Sequence, residues 1–460
     1  MAQPAAQTKS SRHERMLTQP IHRVITAMAI PTVMNQMVTI IYNTVDTYFV
    51  SRLHNEAAAA VGVSLALVSL SNALTFGISM GAKGLISRRL GAGRLQDANT
   101  CASSALAACV AVGVFIMVLG LAFLEPLMVL LGAYDDVLPH ACDYAKYLLW
   151  GTVPHYGGSV LACVLQAQGM TVWSTVAFVT GSVANVLLDP LFIFTFGMEA
   201  GGAALATSLS QMLTLVVMLV PFLLKKSTVR FRFAAVSRRF GTYFEIIHNG
   251  LPTVFRQGSS AISSSLLNHM AGPYGSAAVA AITVANKVYM MVRSLILGFG
   301  QGYQPVAGYN YGAKRNDRVR RAFGFVCIVG TSTCAVCAVI FALLPDTIIH
   351  IFRDDPEVVE TGARMLMYLA LSLPFLGYST FVNQTYQVLG FSLWATVLAC
   401  CRQGLFFAPA IFLLHGLFGL EGVLMTQAAA DILTGLVSIP FHIVFLRRIL
   451  RKEDGAVTAG

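Results

Sequence analysis

The sequence predicts an all-α polytopic membrane protein whose twelve transmembrane helices form two pseudo-symmetric six-helix bundles. Three observations lead to this fold class: a charge-poor composition, twelve long apolar runs, and identical residues that recur at a spacing of 221. The chain is 56% hydrophobic and only 11% charged, and its mean hydropathy is +0.68. Because a soluble domain carries about 25% charged residues, most of this chain is expected to lie in lipid.

Each apolar run is long enough, as a helix, to cross a hydrocarbon layer of ~30 Å. The runs are continuous rather than ~10-residue stretches of alternating hydrophobicity, so they favour helices over a transmembrane barrel. The polar, basic first residues show no short apolar core of a cleavable signal. The predicted helix cores are 24–50, 58–82, 99–124, 141–167, 172–195, 202–224, 245–270, 277–301, 322–344, 362–388, 393–415 and 423–446.

Basic residues in the connections predict the orientation. They cluster before the first run and after the second, sixth, eighth and twelfth runs; those after the second run are Lys83, Arg88, Arg89 and Arg94. The opposite connections carry acids, as in AYDDV and FRDDPEVVE. Since positive charge stays on the cytoplasmic side, both termini are predicted to be cytoplasmic in a plasma (inner) membrane. The net charge of +10 is then a topology signal and a contact for membrane lipid headgroups, and no nucleic-acid partner is expected.

The recurring residues divide the chain into two halves. Pro31 recurs as Pro252 and Gly169 as Gly390, both at the spacing of 221. Because six spans return the chain to its starting side, the halves are predicted to be parallel copies. The alternating basic and apolar residues between them favour a short strand or an amphipathic helix at the membrane surface. The predicted segments are a cytoplasmic tail (1–23), a six-helix bundle (24–224), a cytoplasmic linker (225–240), a second bundle (241–446) and a cytoplasmic tail (447–460).

Acids inside the apolar runs are the first functional candidates, because a charged side chain at a helix centre costs ~3 kcal/mol on insertion scales. Asp46, Asp189 and Asp431 lie well inside such runs. Tyr42 precedes Asp46 by one helical turn, and Asn185 precedes Asp189 in the same way. Their oxygens suit a small cation, and burial also favours the protonated form of a carboxylate. Cation binding, proton binding and a structural pairing stay open for Asp46 and Asp189, whereas Asp431, which has no comparable cluster of polar neighbours, is expected to have a structural pairing.

The second half carries cations in its apolar runs. They are expected to pair with acids or to extend toward the interface, and direct contact with a substrate is the sharper alternative. Flexible methionines beside polar side chains suit varied apolar ligands, with lipid-facing packing as the alternative. The cations are Arg256, Lys287, Arg293 and Arg402, and the candidate substrate cavity comprises Met34, Asn35, Gln36, Arg256, Gln257, Asn383, Gln384 and Gln387.

Several motif searches narrow the function classes. No Walker lysine motif is present, which argues against direct ATP drive. Cys334 and Cys337 form a single CxxC without a second pair, so a zinc site is disfavoured. No nucleophile has a base at a recognisable spacing; we therefore expect neither an enzyme nor a bound cofactor. His155 either relays protons or holds a structural hydrogen bond.

Four stretches, IPTVMNQMVTIIYNTVDTYFVSRL, RRLGAGRLQDA, NVLLDPLFIFTFGMEAGGAALATSLSQ and QPVAGYNYGAKRNDRVRRA, together resemble the multidrug and toxic compound extrusion (MATE) family, nearest to its prokaryotic DinF-like branch. The resemblance implies two bundles facing each other in a V, and export of organic cations or amphipathic drugs in exchange for H⁺ or Na⁺ by a monomer. It also implies a coupling site of Asp46, Asn185, Asp189 and Thr207 with Tyr42 beside it, and a bend of the first helix at Pro31.

One departure from the family leaves the coupling ion open. Family members often carry an asparagine in the fourth helix near this site, whereas the stretch GGSVLACVLQAQG offers Ser159, Gln166 and Gln168. Two other functions remain as alternatives. A lipid-linked oligosaccharide flippase of the same superfamily would favour a strongly cationic cleft, and a membrane-embedded lipid-binding protein or enzyme would bind without flux driven by a gradient.

Overall fold

A computed structural model describes residues 14–50, 54–134 and 136–445. Nearly all of these residues are helical, and no strand occurs among them. The predicted tails lie largely outside the described ranges, at 1–13 and 446–460. The twelve long helices in these ranges are α1 Ile21–Val50, α2 Asn55–Gly91, α3 Leu95–Ala122, α4 Val137–Ala167, α5 Thr171–Thr195, α6 Glu199–Leu223, α7 Phe240–Ala271, α8 Ser276–Gly312, α9 Asn316–Leu343, α10 Pro356–Leu389, α11 Ser392–Phe418 and α12 Leu420–Val444.

The twelve-helix fold class predicted from the apolar runs is confirmed. Eleven of these helices, counted over the described part of the chain, are long and apolar enough to cross a membrane. The remaining helix, α7, is 32 residues long, and its polar residues lower its mean hydropathy. α5 ends in a π-helical turn, Leu191–Thr195, and α11 contains another, Cys401–Leu405.

The starts of the helices follow the predicted repeat. Four pairs of helices, α2 with α8, α3 with α9, α5 with α11 and α6 with α12, begin at the same spacing as the recurring prolines Pro31 and Pro252. Two short helices, Leu124–Leu130 and Pro345–His350, keep this spacing as well. Helix ends are set by local sequence, so the common spacing means that both halves follow one structural plan.

The contacts divide the chain into two compact units. Among the described residues, the N-terminal unit contains residues 14–19 and Ile30–Gly250, and the C-terminal unit contains Pro20–Ala29 and residues 251–445. The beginning of α1 and the later part of α7 therefore belong to the C-terminal unit. The chain changes unit at Ile30 and at Leu251, and these residues directly precede the recurring prolines Pro31 and Pro252. A proline within a helix removes a backbone hydrogen bond, so both long helices are weakened where they change unit.

Small residues allow the helices of each unit to pack closely, as is common in membranes. A Cβ atom added to Gly202 in α6 would lie 2.8 Å from the carbonyl oxygen of Phe192 in α5. At the related place in the C-terminal unit, a Cβ atom on Gly422 in α12 would collide with the carbonyl oxygen of Leu414 in α11. Glycine is thus required at both contacts because the backbones themselves touch.

The segment 225–240 differs from its prediction. It forms neither a strand nor an amphipathic helix and contains a single 3-10 turn, Phe233–Ala235. The side-chain oxygen of Gln168, at the end of α4, accepts hydrogen bonds from the Ser227 hydroxyl at 2.9 Å, the Thr228 amide at 2.7 Å and the Val229 amide at 3.0 Å. Because a side chain satisfies these backbone donors, the segment needs no regular structure of its own.

Candidate functional site

Two helices of the N-terminal unit bring together three of the predicted coupling residues. The Asn185 amide donates hydrogen bonds to Asp189 Oδ1 at 3.1 Å and to Thr207 Oγ1 at 3.4 Å. Asn185 and Asp189 lie one turn apart on α5, and Thr207 belongs to α6. The side chain of Asp189 is fully buried, and that of Asn185 is almost so. The structure thus forms a polar group inside an apolar helix pair; we call Asn185, Asp189 and Thr207 the α5–α6 site.

The close contact between α5 and α6 explains why Thr207 reaches α5. Gly181 lies so close to Thr214 that an added Cβ atom would overlap the Thr214 hydroxyl, and Gly202 meets the backbone of the π-helical turn. The α5–α6 site lies between these two contacts along both helices. Pro190 follows Asp189 directly, and the helix then widens into the turn Leu191–Thr195. Turns of this kind often occur at functional sites.

Two oxygen atoms in the α5–α6 site lack hydrogen-bond donors. Asp189 Oδ2 and Asn185 Oδ1 are both buried without a partner. Leaving a buried acceptor unsatisfied costs about 1–3 kcal/mol, and more for a charged group. A small cation held by these oxygens and the Thr207 hydroxyl would reduce that cost, because hard oxygen ligands suit such an ion. A proton on Asp189 would instead remove the charge of the carboxylate.

The first helix contributes a second acid to this region. Asp46 and Tyr42 lie on α1 in the N-terminal unit, and both are partly buried. Asp46 is near enough to Asp189 for the two charges to interact. The described residues include no group of three or more His, Cys, Asp or Glu side chains that could hold a metal ion. The charged oxygens of this region therefore come from Asp46 and Asp189, and Asn185 and Thr207 add neutral oxygens.

Sequence reasoning missed Tyr144 on α4. Its side chain is buried among Val50, Ile193 and small residues of α6, within electrostatic range of both Asp46 and Asp189. Tyr144 follows Asp143, which is exposed. No spacing in the sequence connects Tyr144 to the acids, because the contact depends on how α4 packs against α6. In this structure α4 adds a phenol to the region of the acids.

The glutamines considered as replacements for the family asparagine have other roles. Gln166 accepts a 2.9 Å hydrogen bond from the ammonium group of Lys83, and Gln168 holds the segment after α6. Lys83, assigned by its charge to a cytoplasmic connection, lies inside α2 and is 1% exposed. That assignment was wrong, because α2 continues to Gly91 and a charge count does not show which way a side chain points.

Pro31 lies inside α1, as the resemblance implies, and its carbonyl oxygen accepts a 2.8 Å hydrogen bond from the Thr175 hydroxyl on α5. α5 also carries the α5–α6 site. His155 on α4 bonds to the Asn72 side chain at 3.0 Å, which accords with the structural interpretation of this histidine. A small pocket adjoins it, lined in part by Ser71, Asn72 and Gln211.

The predicted cavity residues lie in both units, and their assembly into one cavity stays a prediction. In the N-terminal unit Met34 is exposed, and Asn35 is buried with an unpartnered side-chain oxygen. In the C-terminal unit the Asn383 amide donates to the Ala395 carbonyl at 2.6 Å, and the Gln387 amide donates to the Thr253 hydroxyl at 2.7 Å. Of the other predicted cavity residues, Gln36 and Arg256 are partly exposed, Gln257 is exposed and Gln384 is buried.

The C-terminal unit holds a buried ion pair. Arg402 Nε donates to Asp431 Oδ1 at 2.7 Å, and Gln427 Nε2 donates to the same oxygen at 3.1 Å. The Tyr289 hydroxyl donates to Asp431 Oδ2 and accepts a 2.6 Å hydrogen bond from Arg402 Nη2. The expectation that Asp431 has a structural pairing agrees with this arrangement, since all the partners belong to the protein.

Comparison with known proteins assigns the chain to a family. The sequence profile of the MatE family matches residues 31–191 and again residues 252–413. The chain belongs to the MatE family. The two matches begin at Pro31 and at its recurrence Pro252, which confirms the predicted repeat. The MatE assignment also confirms the resemblance seen in the four sequence stretches at the level of the family.

Relatives of this MatE chain cover almost its whole length. Multidrug export protein MepA of Staphylococcus haemolyticus (strain JCSC1435) is 24% identical over 439 residues, which are 95% of this chain and 96% of the relative. Multidrug export protein MepA of Staphylococcus saprophyticus is 25% identical over 431 residues, or 93% of this chain and 94% of the relative.

Solved structures show the same fold. One, of the outward-facing conformation of a multidrug resistance MATE family transporter of the MOP superfamily, has a TM-score of 0.89 at 24% identity and covers 95% of this chain and 98% of its own. A crystal structure of MATE in complex with MaD3S also has a TM-score of 0.89, at 25% identity with the same coverage. The chain therefore has the MATE fold along almost its full length.

Proposed function

We propose that this MatE protein is a secondary active multidrug exporter that exchanges organic cations or amphipathic drugs for H⁺ or Na⁺ by alternating access. Family membership and the export function in the names of its relatives support the transport of drugs. The observation that carries the coupling is the pair of buried, unpartnered oxygens, Asp189 Oδ2 and Asn185 Oδ1. Two buried acceptors that receive no hydrogen bond from the described residues are suited to an arriving proton or cation.

In the proposed mechanism the ion binds first to the α5–α6 site from the outer side. Asn185 holds one oxygen of Asp189, which leaves the other oxygen free for the ion. Occupation neutralises one of two interacting acids, and the electrostatic balance around Asp46 on α1 changes with it. α1 changes unit just before Pro31, whose carbonyl is bonded to α5. We infer that a rearrangement of α1 at this proline lowers the affinity for the drug, which then leaves.

The energy available from one ion is adequate for export. A charge that crosses down a potential of 100 mV releases ~2.3 kcal/mol. Since 1.4 kcal/mol corresponds to tenfold in concentration, one ion per cycle supports an outward gradient of more than about tenfold for a drug without net charge. Exchange of one ion for a monovalent organic cation moves no net charge, so the concentration gradient of the ion alone drives it. We further propose a plasma (inner) membrane location with both termini in the cytoplasm, contact with membrane lipids, function as a monomer, and membership in the DinF-like branch.

The test is efflux of ethidium from proteoliposomes under an imposed Na⁺ gradient or an imposed H⁺ gradient. We expect one of the two gradients to drive efflux in the unmodified protein. In Asp189→Asn the gradient-driven part should fall to the level of empty liposomes, because the amide cannot exchange a proton or carry the ionic charge. Asp143→Asn is the matched control, since Asp143 is an exposed acid on α4.

The outcomes distinguish the proposals. Coupled efflux in Asp189→Asn equal to that of the unmodified protein would make Asp189 structural. Absence of flux under both gradients would reject the antiporter function for this cargo and would favour the alternative function, a lipid-linked oligosaccharide flippase. Binding of ethidium without flux would favour a membrane-embedded lipid-binding protein or enzyme.

A further inference from the structure

Three arginines lie together inside the C-terminal unit, where the described charges that act on them include only one acid. Arg256 on α7, Arg293 on α8 and Arg402 on α11 interact electrostatically with one another. The acid is Asp431 on α12. We call these three side chains the arginine cluster. Counted with Asp431, the group has two positive charges more than negative ones.

Asp431 forms an ion pair with Arg402. The carboxylate receives hydrogen bonds from Arg402 at 2.7 Å, from Gln427 at 3.1 Å and from the Tyr289 hydroxyl. The π-helical turn Cys401–Leu405 carries Arg402 into this position. Both oxygens of Asp431 thus accept hydrogen bonds, and of the three guanidinium groups only that of Arg402 donates to them in the described part of the chain.

Arg293 forms no salt bridge with any carboxylate that the structure describes. Its side chain is only 5% exposed, and its Nε atom is buried without a hydrogen-bond partner. Nη1 makes two long contacts, 3.4 Å to the Ser260 hydroxyl and 3.5 Å to the Met290 sulfur. A buried guanidinium with neutral, distant partners is costly, and its planar donor fork is available for an oxygen anion.

Arg256 provides a second guanidinium for the same ligand. It is partly exposed, and its Nη2 atom makes a long contact of 3.5 Å with the Thr253 hydroxyl. An anion between Arg256 and Arg293 would reduce the repulsion between the two charges and provide an acceptor for Arg293 Nε. Guanidinium groups bind carboxylates through two parallel hydrogen bonds, which favours a planar oxygen anion.

We propose that the arginine cluster, through Arg293 and Arg256, binds the carboxylate of amphipathic drug-like molecules. This proposal rests on the proposed export function and refines it: the C-terminal unit selects acidic or zwitterionic compounds, whereas export of organic cations alone would leave the charges of Arg256 and Arg293 uncompensated. The acids of the α5–α6 site and the cations of the arginine cluster then have separate roles, ion coupling in one unit and recognition of anionic groups in the other.

Two dyes that differ only at one acid group test this selectivity. Rhodamine 110 carries a free carboxylate, and rhodamine 123 is its methyl ester. Binding of each dye to the purified full-length protein in nanodiscs of zwitterionic lipid is measured by fluorescence polarisation, without any ion gradient. We expect rhodamine 110 to bind more tightly, and Arg293→Gln to weaken its binding by roughly tenfold or more, since hydrogen bonds to charged groups are the stronger ones. Binding of rhodamine 123 should be unchanged within about twofold.

The variants separate recognition from folding. Arg320→Gln removes an exposed arginine of the same unit, on α9, and is expected to leave both affinities unchanged. Arg293→Lys keeps the charge but lacks the planar donor fork of a guanidinium. Its affinity for rhodamine 110 should lie between those of the unmodified protein and Arg293→Gln. If Arg293→Gln does not fold, Arg256→Gln serves in its place, because Arg256 is only partly buried; it should weaken rhodamine 110 binding selectively.

Three results would overturn the proposal. The first is equal affinity for the two dyes, and the second is an equal loss of affinity for both dyes in Arg293→Gln. The third is displacement of rhodamine 110 by phosphatidylglycerol at concentrations that leave rhodamine 123 bound. The last would make a lipid headgroup the ligand of the cluster. These measurements need no transport, so they can succeed even if ethidium efflux proves uncoupled, and they can fail while coupled efflux of ethidium is intact.

Discussion

Replacing Arg402 by methionine is expected to destabilise the C-terminal unit by about 3 kcal/mol. Asp431 is completely buried, and Arg402 supplies its 2.7 Å charged hydrogen bond. Breaking a buried ion pair from one side costs ~3–5 kcal/mol, because the other charge is left uncompensated. The positive charge of Arg293 remains near Asp431, so we place Arg402→Met at the lower end of that range.

The opposite single substitution should be worse. Asp431→Leu removes the acid and leaves Arg256, Arg293 and Arg402 in mutual repulsion, so we expect a loss near ~5 kcal/mol. The double variant Arg402→Met with Asp431→Leu removes both charges and should be close to neutral, as is common when a buried pair is replaced by apolar side chains. The two substitutions therefore compensate each other, with a coupling energy well above the ~0.5 kcal/mol within which distant sites usually add.

Trp394 provides the assay. It lies on α11, and its ring packs on Phe441 with a centroid distance of 5.6 Å, so its emission should report unfolding of the C-terminal unit. The other two tryptophans, Trp150 and Trp173, are replaced by phenylalanine in all samples. The free energy of unfolding is then measured by titration with a denaturing detergent for the parent, the two single variants and the double variant.

The losses of unfolding free energy in the two single variants and the double variant, compared with one another, test this reasoning. A double variant as unstable as Arg402→Met would mean that Arg402 acts through packing rather than by neutralising Asp431. If Asp431→Leu loses no more unfolding free energy than Arg402→Met, the remaining arginines do not repel one another. That result would refute the excess positive charge of the cluster.

Two other substitutions test the helix packing and the connecting segment of the N-terminal unit. Gly202→Ala should destabilise the N-terminal unit by about 1–3 kcal/mol, because its Cβ atom would lie 2.8 Å from the Phe192 carbonyl oxygen and such overpacking costs that much; unfolding titrations check this, and Gly62→Ala, with no atom near its added Cβ, should differ little. Gln168→Ala should speed proteolysis at residues 227–229, since three hydrogen bonds lose their acceptor. Unchanged cleavage would show that the segment is held by other contacts.

Much of the architecture follows from the sequence alone. A run of about twenty apolar residues in lipid satisfies its backbone only as a helix, so the twelve helices follow from composition and length. The repeat is visible in residue identities because both halves follow one plan, and four pairs of helices begin at the spacing that those identities share. The bond between Asn185 and Asp189 is also local, since residues four apart share one helix face.

Contacts between helices were decided by the tertiary structure. The pairing of Arg402 with Asp431, the burial of Lys83 against Gln166, and the position of Tyr144 near the acids join residues on different helices. Hydropathy measures how a side chain partitions into lipid, but it carries no information about which neighbour the side chain meets once the helices pack. The sequence by itself therefore determined the helices, the repeat and the intramembrane acids of this protein, while helix packing decided that one unit holds unpartnered acceptors and the other an excess of buried positive charge.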